Sequence, residues 1–483
     1  MKTLMVVLAG LMISSSVVFA EEEVQKNAEV SVVHDVHAED AGHHDDGHAE
    51  LLQFAMVLLF ASGMLLLGRG GALVERWGLP SVLGELIAGI ILYNASLLCG
   101  WDAIEQLRDG QLLKMFAFVG VILLLFKSGL EEDLHHMAKV GLLAAVVAIV
   151  GVVLPFAGGY AASKYMLFSD QLEVVHVFIG ATLVATSVGI TAKIFSDLNY
   201  TGPTKSLVIG AAVIDDVIGL IILAVVGVMA DGGEVTGMMV GKTAGGAMLF
   251  LVGAIVVGRL SAPVIGRVLS SVHTGVGMKQ AMALGFCALF SFAAVTLAGL
   301  EPIIGAFAAG LVLTPVDFKN FDLSHQVGRM DRWMTKLEPS QVELRSEMQK
   351  IKHEKEHSHV ESLVEGIARF FVPIFFVHTG MSVNLSVFMN PQTVLIALVF
   401  AVIAIVGKLA CGLVVGKKAN GPITGWSMVA RGEVGLVFAN IGLAKGVFTS
   451  DIFAVAVVIV VITTFIPPVI LPRLIRKEQE ANA

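Results

Sequence analysis

Asp215 and Asp216 stand side by side near the middle of TKSLVIGAAVIDDVIGLIILAVVGVMA (204–230), an apolar run long enough to cross a bilayer. A carboxylate at the centre of a spanning helix costs about 2.5–3.5 kcal/mol on insertion scales, so such residues face a wet cavity or a cation. On a helix the two adjacent side chains diverge by about 100°, so they do not converge on one water. That disfavours an intramembrane aspartyl protease, whose two carboxylates share a proton. It favours a division of labour, with one carboxylate toward an ion path and the other toward a counter-charge. The best counter-charge is Lys408, deep in VFAVIAIVGKLACGLVVG. A buried ammonium keeps its charge when a carboxylate supports it, so an Asp–Lys pair at this depth is a latent proton site. A static salt bridge that fixes helix packing is the alternative.

Two further apolar runs are built to break. GATLVATSVGITAKIF (180–195) places Thr182, Thr186, Ser187, Gly189 and Thr191 close together, and GWSMVARGEVGLVFANIGLAKG (425–446) places Ser427, Arg431, Gly432, Glu433 and Gly435 in mid-span. Such interruptions, one in each half of the chain, predict discontinuous helices that meet at a midplane site. Unwound carbonyls and hydroxyls there can replace the hydration oxygens of a small hard cation, and the helix ends add partial charges. Arg431 and Glu433 are expected to neutralise each other or those helix ends rather than to hold an ion.

The elements that must position these residues follow from composition. With 483 residues, 56% hydrophobic and 15% charged, the chain is an integral membrane protein, and its 51 glycines fit closely packed spanning helices. Thirteen spans are expected at about 51–68, 79–98, 112–130, 140–163, 174–196, 204–230, 237–258, 278–298, 299–315, 365–383, 392–416, 421–445 and 451–472. The first 20 residues read as a secretory signal peptide cut after Ala20, or else as an uncleaved anchor. Residues 21–50 are acidic, His-rich and almost free of large apolar side chains. They predict a solvated extracytoplasmic tail, with zinc, copper or nickel binding as the weaker reading. With that tail outside, Arg69, Arg76, Lys139, Lys205, Arg259, Arg267, Lys279, Lys417, Lys418, Arg473, Arg476 and Lys477 fall inside, whereas chiefly Arg108, Lys164 and Lys445 fall outside. This bias predicts an odd number of spans and a cytoplasmic 473–483 tail. Residues 316–364 form a charged cytoplasmic insertion between the two membrane parts, 51–315 and 365–472, and read as a helical linker, with a pH-sensing regulatory role for its histidines as the weaker reading. Cys99, Cys287 and Cys411 lack metal-ligand spacing and read as small packing residues. No basic stretch suits nucleic acid, and no cofactor or enzymatic activity is expected.

Taken in order, ATSVGITAKIF, LVIGAAVIDDVIGLI, EPIIGAFAAGLVL, FFVPIFFVHTG, the lysine of VGKLACG and GWSMVARGEVGLVF resemble the cation:proton antiporters of the NapA type. The resemblance covers residues 51 to 472. It implies an all-α membrane fold of about thirteen helices, inverted repeats with two broken crossing helices, a homodimer, and elevator-like alternating access. By matching position, it implies that Asp216 is the sodium-binding and proton-exchanging carboxylate, that Asp215 pairs with Lys408, and that Thr186 and Ser187 lie beside the ion. Glu433 matches an acidic position on the second crossing helix. The Asp-Asp pair with the lysine resembles the electrogenic class. GIILYNASLLCGWD departs from the usual Gly-Pro of this family, which touches local geometry and not the site.

The resulting expectation is an electrogenic sodium or lithium:proton antiporter of a bacterial cytoplasmic membrane, contributing to pH homeostasis. Potassium:proton exchange is the alternative within transport, because one carboxylate and carbonyl oxygens do not fix ion size. A membrane sensor that keeps the fold without ion flux is the alternative from another class, and the His-rich tail is the feature that favours it.

Overall fold

The computed structural model describes residues 42–77, 80–131, 141–168, 170–232, 237–272, 275–313 and 363–482. The expected signal peptide, most of the tail and nearly all of the 316–364 insertion lie outside them.

Local chemistry fixes where the helices start and stop. The helices are α1 (Gly42–Gly71), α2 (Ser81–Cys99), α3 (Asp102–Asp109), α4 (Gln111–Glu131), α5 (Leu142–Ala162), α6 (Glu173–Thr182), α7 (Val188–Asp197) and α8 (Pro203–Ala230). Then follow α9 (Gly237–Val272), α10 (Val276–Ala298), α11 (Pro302–Val312), α12 (Leu363–Met381), α13 (Pro391–Leu409), α14 (Gly421–Val429), α15 (Glu433–Ala444) and α16 (Ser450–Asn482). Proline opens α8, α11 and α13, where its missing N–H costs nothing. Asn390 and Asn420 cap α13 and α14 by accepting from Gln392 N and Ile423 N. Gly100 and Gly299 close α2 and α10 in the left-handed region, at φ 68° and 63°.

Among the described residues, ten helices are long and apolar enough to span a bilayer. The short α11 and the two interrupted pairs, α6/α7 and α14/α15, account for the remaining expected spans. Three boundaries differ from the sequence reading. α1 begins at Gly42 rather than 51, because adding turns to a formed helix costs far less than starting one. α9 continues to Val272 and α16 to Asn482, well past the apolar runs.

The helices sort into two halves. α5, α6, α8, α13, α14, α15 and α16 pack on one another around the interrupted pairs, and α7 joins them through α8 and α16. α4, α10 and α11 pack together as a second group, here called the panel, with α1 against α2. α12 ties these together. A β-carbon at Gly89 of α2 would lie 2.1 Å from the Val377 carbonyl oxygen, and one at Gly380 of α12 would lie 2.2 Å from that of Leu86. Along the chain, three panel spans (α1, α2, α4) precede three site-half spans (α5, α6/α7, α8). After α9, the same order returns as α10, α11, α12 and then α13, α14/α15, α16. The second span of each site-half triplet is the broken one. Close backbone contact is how apolar helices gain packing energy where lipid offers no hydrophobic drive.

Candidate functional site

α8 and α13 carry the opposed charges. Lys408 Nζ lies 3.0 Å from Asp215 Oδ1 and 3.1 Å from Oδ2, and both side chains are 0% exposed. The ammonium fits because α5 presents Gly151, where a β-carbon would come within 3.4 Å of Nζ. Asp216, one residue along α8, is also buried. The divergence expected from adjacent positions on a helix is thus realised: Asp215 turns to α13 while Asp216 takes another direction.

The two interruptions fall where the hydroxyl- and glycine-rich stretches predict them. α6 ends at Thr182 and α7 starts at Val188; α14 ends at Val429 and α15 starts at Glu433. The unwound segments satisfy each other's backbone. Ser187 N donates to the Ala430 carbonyl at 2.8 Å, and Thr191 Oγ1 donates to that of Ser427 at 2.8 Å. Thr186 Oγ1 reaches the Met428 carbonyl at 3.4 Å. Gly432 is required at the crossing, since a β-carbon there would sit 2.7 Å from Ser187 Oγ. Exposed carbonyls and N–H groups at membrane depth are tolerated only when paired or facing a polar site, and the crossing meets that demand.

Arg431 is the largest fully buried side chain. Its Nη1 donates to the Ala185 carbonyl at 3.0 Å, which ties the second break to the first. Its Nε and Nη2 have no hydrogen-bond partner among the described residues. Arg431 is thus placed within the crossing, buried and bonded to the first unwound segment. Glu433 opens α15, and its side chain lies outside the described residues. Thr186, Ser187, Thr191 and Ser427 line a small cleft with Val208, Ile209 and Ala212 of α8. The lining does not include Asp215 or Asp216, so the hydroxyls gather one face of the crossing without enclosing the carboxylates.

Sequence reasoning missed Thr464 of α16, whose Oγ1 lies 2.5 Å from the Arg431 carbonyl oxygen. The signal was present as Thr463-Thr464, a polar pair inside an apolar run. Cys99, Cys287 and Cys411 are unpaired, with Cys287 and Cys411 buried in the helix packing.

A multi-pass helical membrane protein with two crossed, interrupted helices and a buried Asp–Lys pair beside them is a narrow class. Comparison with known proteins agrees: the family model for the transmembrane sodium/hydrogen exchanger matches residues 58–477. The chain belongs to that family. It is 32% identical over 457 residues to the high-affinity Na(+)/H(+) antiporter NhaS3 of Synechocystis, covering 87% of this chain and 88% of that one. It is 34% identical over 425 residues to the Na(+)/H(+)-K(+) antiporter GerN of Bacillus cereus, covering 86% and 94%. In fold it is similar to the sodium proton antiporter MjNhaP1 of Methanocaldococcus jannaschii, with a TM-score of 0.60 at 15% identity, covering 86% of this chain and 96% of that one.

Proposed function

We propose that this protein exchanges sodium or lithium for protons across a bacterial cytoplasmic membrane, and does so electrogenically. The observation that carries the reading is the solvent-sealed Asp215–Lys408 pair, one residue from Asp216 on the helix that packs against the crossing. The family membership and the names of the relatives support the ion pair exchanged.

In this cycle Asp216 ionises when it faces the side of low proton activity and takes up sodium. Oxygens from the region of Thr186 and Ser187 complete the ion's shell. The added positive charge weakens the hold of Asp215 on Lys408, and the lysine releases a second proton. On the far side proton uptake by both groups expels the sodium. Two protons for one sodium moves one net charge per cycle, so membrane potential and pH gradient both drive exchange and serve pH homeostasis. Sodium shifts the equilibrium only by its different affinity for the two protonation states.

The division of the fold supports an elevator-like movement of the site-bearing half against the panel, with the panel pairing to a second copy in a homodimer. The positive-inside bias supports an extracytoplasmic N-terminal tail and a cytoplasmic C-terminus. Proton flux in everted vesicles from an antiporter-deficient strain tests the reading. Sodium or lithium collapses a preformed pH gradient in the wild type, and Asp216→Asn abolishes the response; a gradient insensitive to every cation overturns it. Potassium:proton exchange stays as the second reading because the Bacillus cereus relative carries potassium in its name. A response to potassium alone selects it.

A further inference from the structure

Lys445 follows the last residue of α15 and sets its ammonium between two carboxylates from different halves of the molecule. Nζ lies 2.7 Å from Asp231 Oδ1, just past the end of α8, and 2.9 Å from Glu301 Oε1, which precedes α11. α8 and α15 pack together in the site-bearing half, so Asp231–Lys445 is internal to it. α11 is buried in the panel against α4 and α10, so Glu301–Lys445 joins one half to the other. α8 yields to the incoming carboxylate with Gly227, where a β-carbon would lie 3.4 Å from Glu301 Oε1. About one and a half turns deeper on α15, Asn440 Nδ2 donates to Thr379 Oγ1 of α12 at 3.0 Å, a second bond between the halves. Thr379 is fully buried under this contact.

We propose that Glu301 sets access to the site: by holding Lys445 it closes the seam between the two halves at the end of the bundle where α8 and α15 finish, and it releases Lys445 when that end opens. The inference rests on the antiporter reading for the idea that access alternates. In the tail-out topology this end is extracytoplasmic. The bridge is suited to reversal. Its side chains are about one-fifth exposed, at 21% for Lys445 and 20% for Glu301, so water can replace each partner as they separate. Asp231 keeps a counter-charge beside Lys445 in both positions, so breaking the Glu301 contact strands no bare ammonium. A water-accessible pair of this kind, partly exposed on both sides, biases an equilibrium by about two- to fivefold.

The test uses the full-length protein in sealed vesicles of both orientations, with Cys99→Ser to remove the exposed thiol and Thr379→Cys as reporter. A membrane-impermeant maleimide is added from either side. Glu301→Gln is expected to raise labelling from the Lys445 side about two- to fivefold. Asp231→Asn, whose bond lies within one half, is expected to leave it near the parent rate. Raising choline chloride on that side is expected to speed labelling of the parent and not of Glu301→Gln. This measurement on the unaltered pair decides the matter if the glutamine variant does not fold. Equal effects of the two variants, or a parent rate indifferent to salt, overturn the proposal. Sodium-driven proton flux is read on the same vesicles. Flux without the labelling response removes the latch alone, and the labelling response without flux removes the antiporter reading alone.

Discussion

The Lys408 ammonium meets both oxygens of the Asp215 carboxylate, at 3.0 and 3.1 Å, in a place where neither side chain is exposed to solvent. Two opposite charges in this setting are interdependent, because removing one leaves the other buried without compensation. Lys408→Gln and Asp215→Asn should each destabilise the protein by about 3–5 kcal/mol, and the double variant by clearly less than their sum. Thermal unfolding of the purified protein reads the cycle. Voltage-dependent flux in liposomes reads its function: Lys408→Gln should retain sodium-driven proton movement and lose its dependence on membrane potential. A lysine variant that stays electrogenic at the parent stoichiometry would remove Lys408 from the proton path.

The crossing of the interrupted helices depends on side chains that cap unwound backbone. Thr191→Val deletes the hydroxyl that serves the Ser427 carbonyl and leaves that buried acceptor unpaired. The expected loss is about 1–3 kcal/mol of stability, with a weaker apparent sodium affinity in the vesicle assay. Thr191→Ser keeps the hydroxyl and should restore most of both.

In the panel, glycine is a steric requirement. A β-carbon at Gly310 of α11 would lie 2.3 Å from the Phe126 carbonyl oxygen of α4, and one at Gly129 of α4 would lie 2.2 Å from that of Phe307. Gly310→Ala should therefore cost about 1–3 kcal/mol through forced separation of α4 and α11. Gly253→Ala in α9, with nothing within 4 Å of the added carbon, should instead stabilise by about 0.5–1 kcal/mol, since alanine restricts the unfolded chain. Opposite shifts in melting temperature are the expected result.

Tyr200, between α7 and α8, donates to Glu478 Oε2 at 2.6 Å. Burial, with that hydrogen bond, pushes its phenol up to about 12, from an ordinary value of about 10. The folded protein thus holds this proton more tightly than the unfolded chain. The stabilising contribution is complete below pH of about 10 and is lost as pH rises through about 12. Unfolding measured across that alkaline window should show a shallower loss in Tyr200→Phe than in the parent, and absorbance of phenolate should lose a step at a pH of about 12.

Much of the site was legible in the sequence because charge in an apolar run is costly enough to demand a partner. Asp215 and Lys408 are 193 positions apart, yet few buried cations competed for the role. The breaks at 183–187 and 430–432 were legible because glycine and hydroxyl residues cluster where a spanning helix would be expected to be most apolar. Contacts set by three-dimensional packing were not. Thr464 reaches the crossing from α16, and Glu301 meets Lys445 across the two halves; neither residue carries a local pattern that names its partner. The extensions of α9 and α16 were missed for another reason. Hydropathy marks where lipid ends, and a helix continues past that point whenever its backbone bonds and polar side chains permit.

The glycine contacts of the panel give the molecule a rigid frame of reference. Where one main chain rests directly on another, no rotamer can turn to accommodate a shift, and the neighbouring surfaces have a single register. Side chains that pack through methyl groups can slide and refill; carbonyl oxygens seated against bare α-carbons cannot. Under the proposed elevator movement, α2, α4, α11 and α12 would keep their mutual register while the displacement falls at the seam that Glu301 and Thr379 line. A frame of that stiffness would confine the proposed movement to a surface, much as a fixed rail gives direction to the body that runs along it.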